Sequence, residues 1–249
     1  MLREQGRTIV NSLLSWSGLR IVNSKWGPRG FVSALKRAKS RGISIRQVVD
    51  VGADKGLWAK ECLPIFPEAS YFLVEPLLEN EPFLAEISRT RRHVDYYLGA
   101  LGAEPGHLTL HAHGGQSSFF RSEYADSADS CLRDVEVRTL DSFLKEGRIH
   151  PPDLIKADVQ GFELQVLKGA DRCLDTTELL LLEVSYQQIY EGSPLAHEVI
   201  SFAGDLGFAI YDICTYSQRP LDGELAQSDI LFARAESALF SKKGWARAR

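Results

Sequence analysis

Three carboxylates and one imidazole stand where proton chemistry is possible. Asp158 closes the run Leu154-Ile155-Lys156-Ala157, and Glu163 follows it by five residues. Glu183 lies near the end of E-L-L-L-L-E-V-S (178–185), and His113 precedes Gly114-Gly115-Gln116-Ser117-Ser118. Any of these groups can take the proton of a hydroxyl as it turns nucleophilic, an effect typically worth about 10² to 10⁴ in rate. A divalent metal held by two of the carboxylates would reach the same end, and the sequence does not choose between the routes. His111 and His113, two apart on one strand, could ligate a metal, but no third ligand is evident nearby and no metal site is assigned. Cys62, Cys131, Cys173 and Cys214 are scattered without a C-x-x-C pair, which argues against zinc and against a disulfide framework.

A second set of residues is suited to gripping a ligand. Val48-Val49-Asp50-Val51 is a β-branched run that ends in Gly52-Ala53-Asp54-Lys55-Gly56, and Tyr71-Phe72-Leu73-Val74 ends in Glu75. Glycine lets a backbone turn sharply and approach a ligand closely. An acid at the tip of the next strand can accept hydrogen bonds from both hydroxyls of a ribose. The glycines are spaced G-x-x-x-G, so the G-x-G-x-x-G pyrophosphate fingerprint is missing and a nucleoside without a diphosphate fits better.

These residues require strands and helices in alternation. The reading is an α/β fold: a doubly wound, mostly parallel sheet of seven strands with helices on both faces and the ligand at the carboxyl ends of the strands. The strands are 48–51, 71–75, 93–100, 154–158, 178–185, 208–213 and 229–233. Helices are expected over 57–66, where Pro64 ends or kinks the pattern, over 77–87 broken by Pro82, after Gly161, and after a Ser193-Pro194 cap. Leu108–His113 and Val135–Thr139 read as an inserted β-hairpin-like element between strands three and four. Lys156 and Asp158 interrupt a strand that should be wholly apolar and, by period two, point to one side. Buried charges need partners, so each is expected to neutralise the other or a nearby acid such as Glu163 or Glu183.

Residues 1–46 carry ten Lys or Arg against Glu4 alone, a local charge of +9 that leaves −13 on the rest of a chain whose net is −4. This divides the chain into a basic helical N-terminal appendage (1–46), a catalytic domain (47–235) and a basic tail (236–249). The appendage could contact an anionic membrane surface or partner. Aromatics of the kind that stack bases are sparse there, so nucleic acid is not expected as a partner. No apolar run approaches the roughly 18–20 residues needed to span a bilayer, and Met1–Gly6 has no signal-peptide pattern, so a cytoplasmic location is expected.

D-V-G-A-D-K-G followed by L-V-E-P resembles the first two motifs of class I S-adenosylmethionine-dependent methyltransferases. Thr139-Leu140-Asp141 and K-A-D-V-Q-G-F-E-L-Q-V-L-K-G (156–169) resemble the hallmark of the FkbM branch, usually close to K-I-D-V-E-G-x-E-x-x-V-L-K-G. The resemblance runs from about Val48 to Phe232. It implies a Rossmann-like fold that binds S-adenosyl-L-methionine through Gly52, Ala53, Asp54, Gly56 and Glu75. Asp50 or Asp54 would hold the ammonium, and Ala100 and Leu101 would line the adenine. Ser117, with Ser118, matches a Ser-rich patch of the branch near the cofactor, and Asp158 is counted among the cofactor-binding residues. The implied reaction is O-methylation of a sugar, glycolipid or secondary-metabolite hydroxyl, assisted by Asp158, Glu163, Glu183 or His113. Gln160 departs from the pattern, where Glu is usual. Alternatives are a nicotinamide-dependent oxidoreductase on a related fold, or a non-catalytic nucleoside-binding module that docks a partner.

Overall fold

A computed structural model describes residues 30–122 and 131–240. Its described elements are α1 (Gly30–Ser40), β1 (Gln47–Val51), α2 (Leu57–Cys62), β2 (Ser70–Glu75), α3 (Glu81–Thr90), β3 (Val94–Leu98), β4 (Ala100–Leu101), β5 (Gly106–Ala112) and β6 (Cys131–Arg138). They continue with α4 (Leu140–Lys145), β7 (Leu154–Ala157), α5 (Glu163–Lys168), α6 (Asp171–Leu174), β8 (Leu179–Ser185), α7 (Ala196–Asp205), β9 (Phe208–Ile213), β10 (Ser217–Gln218) and β11 (Leu225–Arg234).

The main sheet has the order β10-β11-β8-β7-β1-β2-β3, with β9 also paired to β11. Strands β3, β2, β1, β7 and β8 run parallel, while β11 is antiparallel to β8 and to β9. The central strands are apolar on both sides, as burial beneath two helical layers demands. On one face Val49, Val51, Phe72, Ile155, Leu180 and Leu182 pack with Phe143 of α4, Val166 and Leu167 of α5 and Val199 of α7. On the other, Val48, Tyr71, Leu73, Leu154 and Leu181 pack with Leu35 of α1, Cys62 of α2 and Leu84 of α3. Thus α1, the described end of the basic N-terminal segment, belongs to this second layer. Residues 1–29 and 241–249, on which the rest of the expected appendage and tail fall, lie outside the described residues.

Several local expectations need correction. The third strand stops at Leu98. Gly99 still donates to Glu75 O at 2.9 Å, but Ala100 and Leu101 leave the main sheet and pair with Val137 and Arg138. The insert is therefore a three-stranded sheet, β4-β6-β5, whose β5–β6 pair is the expected antiparallel element. Pro82 does not break α3: it occupies the first turn, where a missing N–H costs nothing. Helix α2 ends at Cys62, before Leu63-Pro64. Ser193 does not cap α7; its hydroxyl bonds Tyr190 O at 2.9 Å, and the start of the helix is held by Glu198 accepting from Leu195 N at 2.8 Å.

Candidate active site

After β1 the chain moves outward to β2 and β3, then returns to place β7 on the other side of β1. That reversal opens a crevice at the carboxyl ends of β1 and β7, the usual ligand position in such sheets. The register sets Val51 opposite Ala157, so Gly52 and Asp158 leave the sheet side by side. Gly52 adopts φ +74°, and a Cβ on it would lie 1.9 Å from the carbonyl oxygen of Asp158. Only glycine fits there, by conformation and by space. The Gly52 and Ala53 amides donate to Val74 O, each at 3.0 Å, which ties the loop to β2.

Glu75 is buried at the tip of β2. Its Oε2 accepts from Asp54 N at 2.8 Å, and its Oε1 accepts from Leu77 N at 3.0 Å and Asn80 Nδ2 at 3.2 Å. Asn80 also donates to Asp54 Oδ1 at 3.0 Å, fixing the loop residue whose φ of +47° is left-handed. Burial pushes the Glu75 carboxyl above its ordinary range, against the pull of these donors. A carboxylate offers about four acceptor positions. Three are filled here, which leaves one at Oε2. Glu75, Asp54, Gly52, Ala100, Leu101, Ser117 and Asp158 line one cavity of about 190 Å³. A hollow of about 400 Å³ shares Asp54, Gly114 and Gly115 with it.

The acids around β7 form one connected group. Asp50 is fully buried, and its partner is Lys156, directly opposite it in register, with Nζ 3.1 Å from Oδ1. The same ammonium donates to Gly52 O at 2.7 Å and lies 3.8 Å from Asp158 Oδ2. Four oxygens around one nitrogen keep Lys156 protonated: the neighbouring Asp50 and Asp158 charges outweigh the burial that would otherwise lower its pKa. Glu163 is 2% exposed and accepts from Val159 N at 3.0 Å and Gly161 N at 3.2 Å. Burial raises its carboxyl to about 7. Glu183 is pushed well above the usual range, first by burial and then by Asp158, Glu163 and Asp229.

Gln160 joins these acids. Its Nε2 donates to Asp158 Oδ1 and to Glu183 Oε2, both at 2.8 Å, and Gln227 supplies Glu183 with a second donor at 2.8 Å. Its Oε1 accepts from the Tyr190 hydroxyl at 2.6 Å. Tyr190 lines a larger cavity of about 920 Å³, together with His111, His113, Gln116, Phe120, Gln187, Leu221 and Gln227. Gln160 lines the small cavity, so at this point the two spaces are one hydrogen-bonded pair apart.

The geometry brings together most, though not all, of the residues singled out from sequence. Asp50 lines none of these cavities; it is ion-paired with Lys156 through Oδ1, and neither of its buried oxygens accepts a hydrogen bond. Ala53 is buried in the core and Gly56, at φ +69°, heads α2. Ser117 bonds within its own turn, donating to Gly114 O at 2.6 Å and accepting from His113 N at 2.8 Å. Asp141 of the T-L-D triplet caps α6 by accepting from Arg172 N and Cys173 N, each at 3.0 Å. Of the expected partners of Lys156, Asp158 lies 3.8 Å away, while Glu163 and Glu183 do not bond it. Among the described residues no three His, Cys, Asp or Glu side chains converge to hold a metal ion. Sequence reasoning missed Asn80, Tyr190 and Gln227; none lies in a recognisable motif.

Comparison with known proteins adds an independent line. The methyltransferase FkbM domain matches residues 50–210. The 2-O-methyltransferase NoeI of Sinorhizobium fredii is 28% identical over 208 residues, covering 76% of this chain and 85% of that protein. Among solved structures, the precorrin-6y C5,15-methyltransferase of Geobacter metallireducens aligns at 12% identity and TM-score 0.44, over 86% of this chain and 93% of that one. Aeropyrum pernix fibrillarin, solved with S-adenosyl-L-methionine bound, aligns at 17% identity and TM-score 0.44, over 81% and 74%.

Proposed function

The chain belongs to the FkbM family of methyltransferases, and from that premise we propose that it moves a methyl group from S-adenosylmethionine to a hydroxyl of a sugar, glycolipid or secondary metabolite. Family membership sets aside the nicotinamide-dependent oxidoreductase. That a relative is a 2-O-methyltransferase supports oxygen as the acceptor atom.

The residues present suit the donor molecule. Glu75 has one acceptor position left for a ribose hydroxyl, and Ala100 and Leu101 offer apolar wall for the adenine. Asp54, on the same cavity, is the acid for the ammonium, since Asp50 is spent on Lys156. Among the described residues Lys156 is the single cation ion-paired with Asp50 and Asp158, and two acids against one ammonium favour a cationic ligand. When bound, S-adenosylmethionine supplies an electrophilic methyl carbon. The chain's work is then to align the acceptor in line, exclude water and receive a proton.

One observation carries the choice of base. Asp158 lines the small cavity with its side chain 37% exposed, while Glu163 is sealed beneath two backbone amides. Glu183 is held by two glutamines, and His113 lines the larger cavity, farther along the acceptor's side. Asp158 takes the acceptor proton in this reading, and the larger cavity seats the acceptor. The test is transfer of a labelled methyl group to a panel of sugar and glycolipid hydroxyls, alongside calorimetry with S-adenosylmethionine. Asp158→Asn is expected to retain binding within about threefold and to lose about 10²-fold or more in turnover. His113→Gln is expected to keep most of it. Glu75→Ala is expected to weaken binding by ten- to a hundred-fold, as loss of a charged hydrogen-bonding group does. Full turnover by Asp158→Asn removes it as the base, and a wild-type protein that ignores S-adenosylmethionine removes the whole reading.

A further inference from the structure

Gln160 is set apart by its geometry. It is 5% exposed, carries a left-handed φ of +53° with a side chain that gains nothing from it, and lies in the turn between β7 and α5. Its carbonyl oxygen is fastened to the inserted sheet by the Ser118 hydroxyl at 2.7 Å. Non-glycine residues held in this region cluster at functional sites, where the surroundings enforce them. Three of the amide's four hydrogen-bonding positions are used. Both Nε2 hydrogens go to carboxylates, at 2.8 Å each, and Oε1 takes the Tyr190 hydroxyl at 2.6 Å. In this orientation both carboxyl oxygens accept and the phenol gives its hydrogen.

We propose that Gln160 is a positioning residue for methyl transfer: its amide clamps Asp158 Oδ1 and Glu183 together, turns Asp158 Oδ2 toward the acceptor, and connects that acid to the wall of the acceptor cavity through Tyr190. This rests on the reading of Asp158 as the base. One donor group shared between two acids holds both close, and of Asp158 it engages only Oδ1, leaving Oδ2, 3.8 Å from Lys156 Nζ, outside the clamp. The other groups facing the cluster are Lys156, with Nζ 3.8 Å from Asp158, together with Glu163 and Asp229, whose charges reach Glu183, and the Tyr190 phenol. None of them bonds Asp158 Oδ1 in place of the amide.

Two near-isosteric variants test it. Gln160→Glu puts a third acid within reach of both, which either adds a like charge or, protonated, donates one hydrogen in place of two. Gln160→Met removes both donors and adds no charge. A base that loses hydrogen bonds to its ionised form, or gains a like charge, holds its proton to higher pH. The acidic limb of the kcat/KM–pH profile should therefore move upward in both variants, by about a pH unit in Gln160→Glu and less in Gln160→Met. At neutral pH, kcat should fall at least tenfold, with the Kd for S-adenosylmethionine within threefold of wild type. Lower activity with an unmoved limb would make Gln160 a structural residue only and overturn the proposal. Should Gln160→Glu fail to fold, the limb of Gln160→Met decides alone. Asp158→Asn measured in parallel separates the two readings: if it is fully active the base assignment fails, whereas an inactive Asp158→Asn with unmoved Gln160 limbs refutes only the clamp.

Discussion

Replacing Lys156 with Met should unfold the domain more easily than any surface change, for a reason that can be computed from its surroundings. The ammonium lies 3.1 Å from Asp50, and the two side chains are 8% and 0% exposed. Methionine keeps the length and the apolar stem but leaves a carboxylate in the core with no counter-charge. Breaking a buried pair from one side costs about 3–5 kcal/mol. At about 2–4 °C per kcal/mol for a domain of this size, Tm should fall by roughly 6–20 °C. The pH dependence carries a sign. Burial already holds the Asp50 carboxyl above its ordinary range, and without Lys156 it must rise further. An acid whose folded pKa is raised contributes its full relative stability below its unfolded pKa and loses it as pH rises through the folded value. The deficit of Lys156→Met should thus be smallest near about pH 4 and grow toward neutrality. Urea unfolding at several pH values reads both quantities. Asp50→Val combined with Lys156→Met, which removes both charges, should recover most of the loss, since apolar replacement of a buried pair is often neutral. A single Lys156→Met variant within about 1 kcal/mol of wild type at pH 7.5, or a deficit flat in pH, would refute the reasoning.

Gly52→Ala should cost about 2–4 kcal/mol, because the new Cβ meets Asp158 O and the backbone is left-handed; denaturant melts check this, and calorimetry should show at least tenfold weaker binding of S-adenosylmethionine. Glu163→Gln tests a titration instead. A folded-state value of about 7 against the ordinary 4.5 amounts to on the order of 3 kcal/mol of stability, present below about pH 4.5 and lost as pH rises through 7. The variant should lack that slope, so its unfolding free energy should change less than wild type's between pH 5 and 8, and equal slopes would remove the assignment.

The parallel core was legible because its signals are local. Strands β1, β2, β7 and β8 are short apolar runs bounded by polar or glycine residues, and their observed limits fall within a residue or two of those read from the pattern. The insert was half legible: β5 and β6 alternate visibly, but β4 is two residues long and owes its existence to Val137 and Arg138, far along the chain. The charge on β7 was recognised as needing a partner, and the acids near it in sequence were the natural candidates. The expected Asp158 does pair with it at 3.8 Å, but the nearer partner, Asp50, is 106 residues away and faces Lys156 only through the β1–β7 register. No periodicity within either strand encodes that pairing.

Gln160 shows how a sequence pattern can point at a position and mislead about its meaning. Against a motif in which Glu is usual, an amide looks like a lost acid and invites the conclusion that a proton carrier is missing. In its surroundings the position faces two carboxylates at 2.8 Å and a phenol at 2.6 Å. A third carboxylate there would have to be protonated to approach them, and could then satisfy only one. The amide supplies two hydrogens at once without a change of charge, so substitution alters the residue from an acid to a donor. The chemistry it serves belongs to its neighbours. That role depends on Glu183 from β8, Tyr190 from the loop beyond it and Ser118 from the insert converging on one turn, an arrangement that only the folded sheet brings about.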